Sequence, residues 1–527
     1  MTSELSQLGL TARRALQSQD WATVTACAND IIRLDQNSAE GYFLMGIVER
    51  VSQKPLKAAQ AFEKSIALDA NRYDAAVELA NQYSIARRNK DVAELLAKYE
   101  DKLGNSPVYL DLAGTVYTEI GMPQKAWPLY KKATSLQPGV DLFQANLAAC
   151  GVYLGKIDEA RDIYKSLLKR FPNHRRNHYQ LSRLAKAKDD THIEQMKDIL
   201  RASGETPDKN IFLYYAIGKE LEDLEQWEES FEYYKKAGDA VTSVANYDVA
   251  GDIELIDKII EVCNAQWLAS ETGKPAVDDT GKTPIFIVGL PRTGTTLTER
   301  IISSHSQVES VGETLFLQMV LRRESGVHSI ENMNPEMIEA VAKTDMAVIA
   351  KGYLETLDYR LGDEPMFIEK LPFNFLFLGL IARAWPNARI IHLGRNPMDS
   401  CFSMYKQVFT WAYKFSYSLD QLGQYYVAYD RLRKHWRDVL KDRLIEIDYE
   451  SLVADQEGQT RSLLDKLGLE FEQACLDFDQ NRAPSATASS VQVREKVHAQ
   501  SVDKWTRFAQ QLQPLREHLE NSGISVD

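Results

Sequence analysis

The 527-residue chain contains no window of about 18 apolar residues and no basic start followed by an apolar run, which predicts neither a membrane-spanning helix nor a secretion signal. A cytoplasmic protein is the expectation. Cysteine is scarce: Cys27, Cys150, Cys263, Cys401 and Cys475 form an odd, widely spaced set without CxxC spacing. Such a set points to reduced core thiols rather than a disulfide framework. Positive charge is also short, with a net charge of −13, so general binding to nucleic acid or anionic membranes is not expected. Any anionic ligand must be held by a local site. A fourth absence is more specific. The run Pro284 to Leu297 reads as a buried strand, a loop framed by Gly289 and Gly294, and a helix start, the frame of a phosphate-binding loop. Thr295 stands where a nucleotide triphosphatase keeps its lysine. Without that lysine the loop should hold one terminal phosphate group, with Arg292 as the charged partner.

Small residues recur at Ala12, Gly46, Ala80, Gly114 and Ala148, each 34 positions after the last. A period of this length predicts helical hairpins. The clearest unit starts near Pro107, with Gly114 and Tyr117 on a first helix, Ala126, Tyr130 and Ala133 on a second, and Pro138 as a stop. Other units carry Gly46, Ala58, Phe62 and Ser65; Ala148, Ala160, Tyr164 and Pro172; and Gly218, Ser230, Tyr234 and Ala237. Residues 5 to 245 thereby resemble tetratricopeptide repeats, which implies a solenoid with a concave surface for a protein or peptide partner; a structural or dimerising scaffold is the alternative. The unit around Ser182 is degenerate, with Asp189 to Glu194 where its second helix should begin. His174 and His178 share i, i+4 spacing but follow a helix-ending proline, lie beside Arg175 and Arg176, and lack a third ligand nearby, so no metal is expected there.

Periodicity fades between Ser270 and Lys282. The expected organisation is a repeat solenoid over 1–269, a linker over 270–282 and a second domain over 283–527. In the second domain apolar runs at 284–290, 366–369, 388–394 and 443–449 alternate with helical patterns at 374–384, 398–411 and 419–440. That alternation predicts an α/β domain with a parallel sheet covered by helices.

Two further features converge on a phosphorylated ligand. A buried strand ends at Arg395, a helix opens near Pro397, and Ser403 lies on that helix, so Arg395 and Ser403 can grip a second phosphate. Both loops follow strand carboxyl ends and belong on one rim. Glu313, Lys370 and Tyr449 also follow strands or turns. Two phosphate grips without a Walker lysine suggest a nucleotide carrying phosphates at both ends of its ribose. His392, inside an apolar strand, reads as a core histidine.

With these residues in view, 283 to 507 resembles the sulfotransferase family, whose donor is 3′-phosphoadenosine 5′-phosphosulfate (PAPS). Pro291, Arg292, Thr293, Gly294, Thr295 and Thr296 resemble the 5′-phosphosulfate loop, and Arg395 to Ser403, eight residues apart, resemble the 3′-phosphate motif. Neighbouring residues are most similar to the tyrosylprotein branch. The resemblance implies that Glu313 is the general base, that Arg292, Lys370 and Ser490 stabilise charge on the leaving side, and that Tyr449 and Lys504 help hold the donor, with Ser490 and Lys504 keeping that branch's 14-residue separation. It implies no metal. The branch has a basic residue two places after the base, where this chain has Leu315, so the acceptor stays open between a protein or peptide hydroxyl, including tyrosine, and carbohydrate or small alcohols. Two other readings stand beside the enzyme: a repeat adaptor with a nucleotide-binding but non-catalytic domain, and a P-loop kinase. Self-association is compatible with both parts of the chain.

Overall fold

The computed structural model describes residues 2–203, 207–270, 281–329, 333–409, 412–487, 489–497 and 501–526. They form two compact units, Met1–Leu154 and Gly155–Asp527.

The first unit is a run of helical hairpins, among them Ala39–Val51 with Pro55–Leu68 and Pro107–Glu119 with Pro123–Leu136. The 34-residue period has a steric cause. A Cβ on Gly114 would lie 2.9 Å from the ring of Tyr130, so glycine lets that ring seat closely on the first helix. The same pairing recurs at Gly46 with Phe62 and, in the second unit, at Gly218 with Tyr234. Ala58, Ala126, Ala133 and Ser65 are fully buried at these helix contacts. The tetratricopeptide-type hairpin is therefore a packing solution.

In the second unit, a five-stranded parallel sheet has the order β2-β3-β1-β4-β5, where β1 is Thr283–Gly289, β2 Val308–Gly312, β3 Met366–Lys370, β4 Arg389–Gly394 and β5 Leu444–Asp448. β1 is central and buried on both faces, as parallel sheets require. Phe286 and Val288 enter one core with Tyr353 and Trp385; Ile285 and Ile287 enter the other with Ile301, Ile391 and Leu464. The sequence pattern missed β2. It is a short strand at the sheet edge with two of its five residues buried, so it lacks an apolar run. The helix expected over 374–384 opens as a 3₁₀ segment, Pro372–Phe377, before α-helix Leu378–Ala384. That expected over 398–411 is observed as Pro397–Tyr405; residues 410 and 411 lie outside the described residues.

Later repeat helices share the core of the sheet domain. The degenerate unit has a first helix of eight residues, Arg175–Ser182, then irregular chain to helix Thr191–Ser203. Hairpin Ile211–Asp223 with Trp227–Val244 packs on helix Pro397–Tyr405: the Tyr215 hydroxyl donates to the Tyr405 carbonyl at 3.3 Å, and Phe231 lies 6.0 Å from the Tyr405 ring. One apolar cluster runs from Tyr179 through Tyr234 to Phe402 and the sheet. The compact division falls at Leu154/Gly155; of the linker expected at 270–282, residues 271–280 lie outside the described residues. Among the described residues no helix is long and apolar enough to cross a membrane.

Candidate functional site

The chain leaves β1 at the centre of the sheet, fills one side through β3 and β2, and crosses to β4 on the other. The loops after β1 and β4 therefore flank a topological switch point, where open α/β sheets bind ligands. After β1 the backbone is unusual: Arg292 has φ +70° and Gly294 φ +100°, and helix Thr295–Ile302 begins at once. Thr293 Oγ1 closes the turn on the Leu290 carbonyl at 2.7 Å. The first amides of the helix have no intrahelical acceptor and carry the positive end of its dipole. A Cβ at position 294 would come 2.6 Å from the ring of Tyr449, so glycine is required by both conformation and contact.

Arg395, directly after β4, joins the two loops. Its Nη1 donates to the Arg292 carbonyl at 2.8 Å and to Ser403 Oγ at 3.3 Å, its Nη2 donates to the Ser501 carbonyl at 2.5 Å, and its guanidinium lies 4.8 Å from the centre of the Tyr449 ring. Its Nε is buried without a hydrogen-bond partner. Arg292 is half-buried and donates to Ser489 Oγ and, at 2.7 Å, to Gln492 Oε1. Burial and then the cations Arg395 and Arg183 lower its pKa to about 10. Cations gathered this closely, one with an orphaned buried N–H, suit an anion.

Across the cleft, two adjacent residues of β3 hold two adjacent residues that follow β2. Lys370, fully buried, pairs with Glu313 and reaches Glu299 at 3.7 Å. Glu369, also fully buried, accepts from Thr314 Oγ1 at 2.6 Å and from the Tyr353 hydroxyl. Alternation along the strand sends the two side chains to opposite faces. Glu313 itself is exposed and lines the cleft. The cleft is lined by Pro291, Arg292 and Gly294 to Thr296 on one side, by Arg395, Tyr449, Ser489 and Ser501 beyond them, and by Glu313, Pro372, Phe409 and Tyr413 at its other end.

Three expected residues are placed otherwise. Ser490 does not line the cleft: it is 1% exposed, its amide donates to the Thr487 carbonyl at 3.1 Å in a tight turn, and Ser489 faces Arg292 instead. Lys504 Nζ lies 2.5 Å from Glu222 Oε1, on a repeat helix, and away from the cleft lining. Ser403 reaches the site only through Arg395. Glu222 holds Lys406 as well, at 2.7 Å, and accepts from the Tyr234 hydroxyl at 2.8 Å. Although burial raises the pKa of Glu222, Lys406 and Lys504 bring it down to about 2. Sequence reasoning passed over Glu222 because it sits in a repeat, although the matching positions of earlier repeats hold Arg50, Ser84, Thr118 and Val152, none of them acidic. Glu369 was hidden as the lone carboxylate in an apolar strand. Asp399 was also missed: buried, it accepts from the amides of Asp503 and Trp505 at 2.7 and 3.0 Å and pins the C-terminal strap beside Arg395. His392 is a core residue, with Nε2 3.0 Å from the Tyr429 hydroxyl and a pKa lowered to about 3 by burial. His178 sits in a hydrogen-bond chain with His192 at 2.8 Å, which continues to Glu220 at 2.7 Å; His174 caps the helix Arg175–Ser182.

Residues 284–473 match the profile of the Sulfotransferase family. This part of the chain is similar to the sulfotransferases. The sulfotransferase region is 27% identical over 233 residues to the protein-tyrosine sulfotransferase of Drosophila melanogaster, covering 42% of this chain and 46% of that protein. An uncharacterized protein of Aquifex aeolicus (strain VF5) is 28% identical over 448 residues, 84% of this chain and 58% of that protein. The chain thus spans about half the length of these curated relatives. Among solved structures, the sulfotransferase domain from the Synechococcus PCC 7002 olefin synthase is similar over 49% of this chain and 100% of its own, at 21% identity and a TM-score of 0.34.

Proposed function

We propose that the sulfotransferase domain moves a sulfuryl group from PAPS to an acceptor hydroxyl on a protein or peptide, with tyrosine as the acceptor residue. The observation that carries this reading is Arg395, which spans from the Arg292 carbonyl to Ser403 with its Nε unpartnered beside the phosphate loop. The fit to the donor can be judged residue by residue. Gly294 to Thr296 and Arg292 would hold the 5′-phosphosulfate; Arg395, positioned in part by Ser403, and the Tyr449 ring would hold the 3′-phosphate side.

When bound, PAPS supplies a sulfuryl group on a phosphate leaving group: the acceptor oxygen bonds to sulfur, the sulfur–oxygen bond to phosphate breaks, and the acceptor proton passes to Glu313. Lys370 orients Glu313 and places a buried positive charge behind it. Arg292 and Ser489 stand on the leaving side, so the serine role expected of Ser490 passes to its neighbour. Positioning and preorganised charge do most of this work. The acceptor end of the cleft, walled by Pro372, Phe409 and Tyr413, suits a flat apolar ring beside the base.

The test is calorimetric titration of adenosine 3′,5′-bisphosphate with a metal chelator present, beside ATP with magnesium. Tight binding that survives the chelator and is lost in Arg395→Ala supports the donor assignment. A preference for ATP with magnesium overturns it, and binding without sulfuryl transfer to any phenolic or alcoholic acceptor leaves the adaptor reading.

A further inference from the structure

Lys370 ends β3 with its side chain fully buried. It stands on an apolar face: Ile287 is its register partner in β1, Ile368 lies two residues before it, and both belong to the core that Ile301 and Ile302 enter from the helix after the phosphate loop. An ammonium in such surroundings needs counter-charge. The structure supplies two carboxylates. Glu313 pairs with Nζ from the loop after β2, and Glu299 Oε2 approaches it at 3.7 Å from helix Thr295–Ile302.

The two carboxylates differ in what they face. Glu313 has 37% of its side chain exposed and lines the cleft, whereas Glu299 has 12% exposed and lies outside the cleft lining. Glu299 is also anchored: its other oxygen, Oε1, accepts from Ser310 Oγ at 2.7 Å, so strand β2 holds it beside the lysine. The neighbouring Arg300 donates instead to Asn481 Oδ1 at 3.2 Å and to the Ala483 carbonyl at 2.5 Å. Lys370 is the only ion-pair partner of Glu299 among the described residues.

Taking the acceptor proton turns Glu313 into a neutral acid. A lysine paired with Glu313 alone would then be a buried cation without a partner, which is a costly state. With Glu299 present the three groups carry one surplus negative charge before transfer and balance after it. We infer that Glu299 is a positioning residue for sulfuryl transfer, keeping the Lys370 ammonium paired and in place while Glu313 carries the proton. It acts through Lys370 and lies away from donor and acceptor. The role in transfer rests on the proposed function; the pairing does not.

The experiment has two readouts. Urea unfolding is measured for Glu313→Gln, a neutral isostere of the protonated base, for Glu299→Gln and for the double variant. Each single variant leaves Lys370 one carboxylate, so its midpoint should stay near that of the wild type. The double variant strands the lysine, and its midpoint should fall by more than the two single shifts together. Adding Lys370→Met to the double variant should recover most of that loss, and restored folding gives the same answer where the double variant does not fold. Additive midpoints, or no recovery with Lys370→Met, overturn the inference. In steady-state transfer to a phenolic acceptor, Glu299→Gln should lower kcat by about tenfold or more. Donor KM and bisphosphate affinity should stay within about twofold. An unchanged kcat, or a matching loss of donor affinity, overturns the positioning role. Non-additive midpoints in a protein whose wild type transfers no sulfuryl group support the pairing and count against the proposed function alone.

Discussion

Arg395 donates from Nη1 to the backbone carbonyl of Arg292 at 2.8 Å, so the loops after two neighbouring strands are tied by one side chain. Replacing it with alanine removes a charge-assisted contact worth about 1.5–3 kcal/mol. Bisphosphate affinity should fall by about ten- to a hundredfold in calorimetry. Lysine should not rescue it, because a point charge cannot span the Arg292 carbonyl, Ser403 and Ser501 together. Unchanged affinity in the alanine variant would remove Arg395 from the donor site.

Glu313 is expected to act in transfer rather than in donor binding. Glu313→Ala should cut turnover by about 10²- to 10⁴-fold, the usual reach of a general base. Bisphosphate affinity should stay within about twofold, since Glu313 lies at the acceptor end of the cleft. Single-turnover assays with a phenolic acceptor read the first number and calorimetry the second.

Glu369 gives the fold a pH dependence of known sign. Burial raises its pKa from 4.5 to about 7, against the hydrogen bonds from Thr314 and Tyr353 that lower it. Between those two values the folded protein keeps a proton that the unfolded chain has lost. Stability from this group is therefore highest below about pH 4.5, declines as pH rises through about 7, and is flat above that. The full swing is about 3 kcal/mol. Urea unfolding near pH 5 and near pH 8 should show a smaller pH difference in Glu369→Gln than in the wild type. An identical difference in the two proteins would show that Glu369 titrates normally.

Glu222 is the carboxylate on which two lysines of the sulfotransferase domain converge. Glu222→Ala leaves buried charge without a partner, which costs about 3–5 kcal/mol. Urea midpoints should fall accordingly. Adding Lys406→Met should recover part of the loss, a non-additivity expected for residues in one network. Additive losses would show that Glu222 and Lys406 do not act as a pair.

Legibility in the sequence followed the range of the interactions. The conformation of the loop after β1 was readable because its requirements are contiguous: a buried strand, the left-handed Gly294 and a helix start. Arg395 and Ser403 were readable because eight residues of strand end and helix keep a fixed geometry. Ser490 was placed one residue off the cleft because register in an irregular segment depends on what it packs against, here Arg292 with Ser489. Lys504 was expected at the donor, but its charge is taken by Glu222, which no local pattern links to it.

By itself, the sequence determined that the chain joins repeated helical hairpins to a parallel α/β domain, and where the loops after β1 and β4 fall, because period, strand burial and loop conformation are set by neighbours along the chain. Only the tertiary structure decided that the last repeats share the core of that domain, that Glu369 and Lys370 together hold Thr314 and Glu313, and that Glu222 takes Lys406 and Lys504. Those contacts join residues distant in sequence, and packing of buried surfaces selects them.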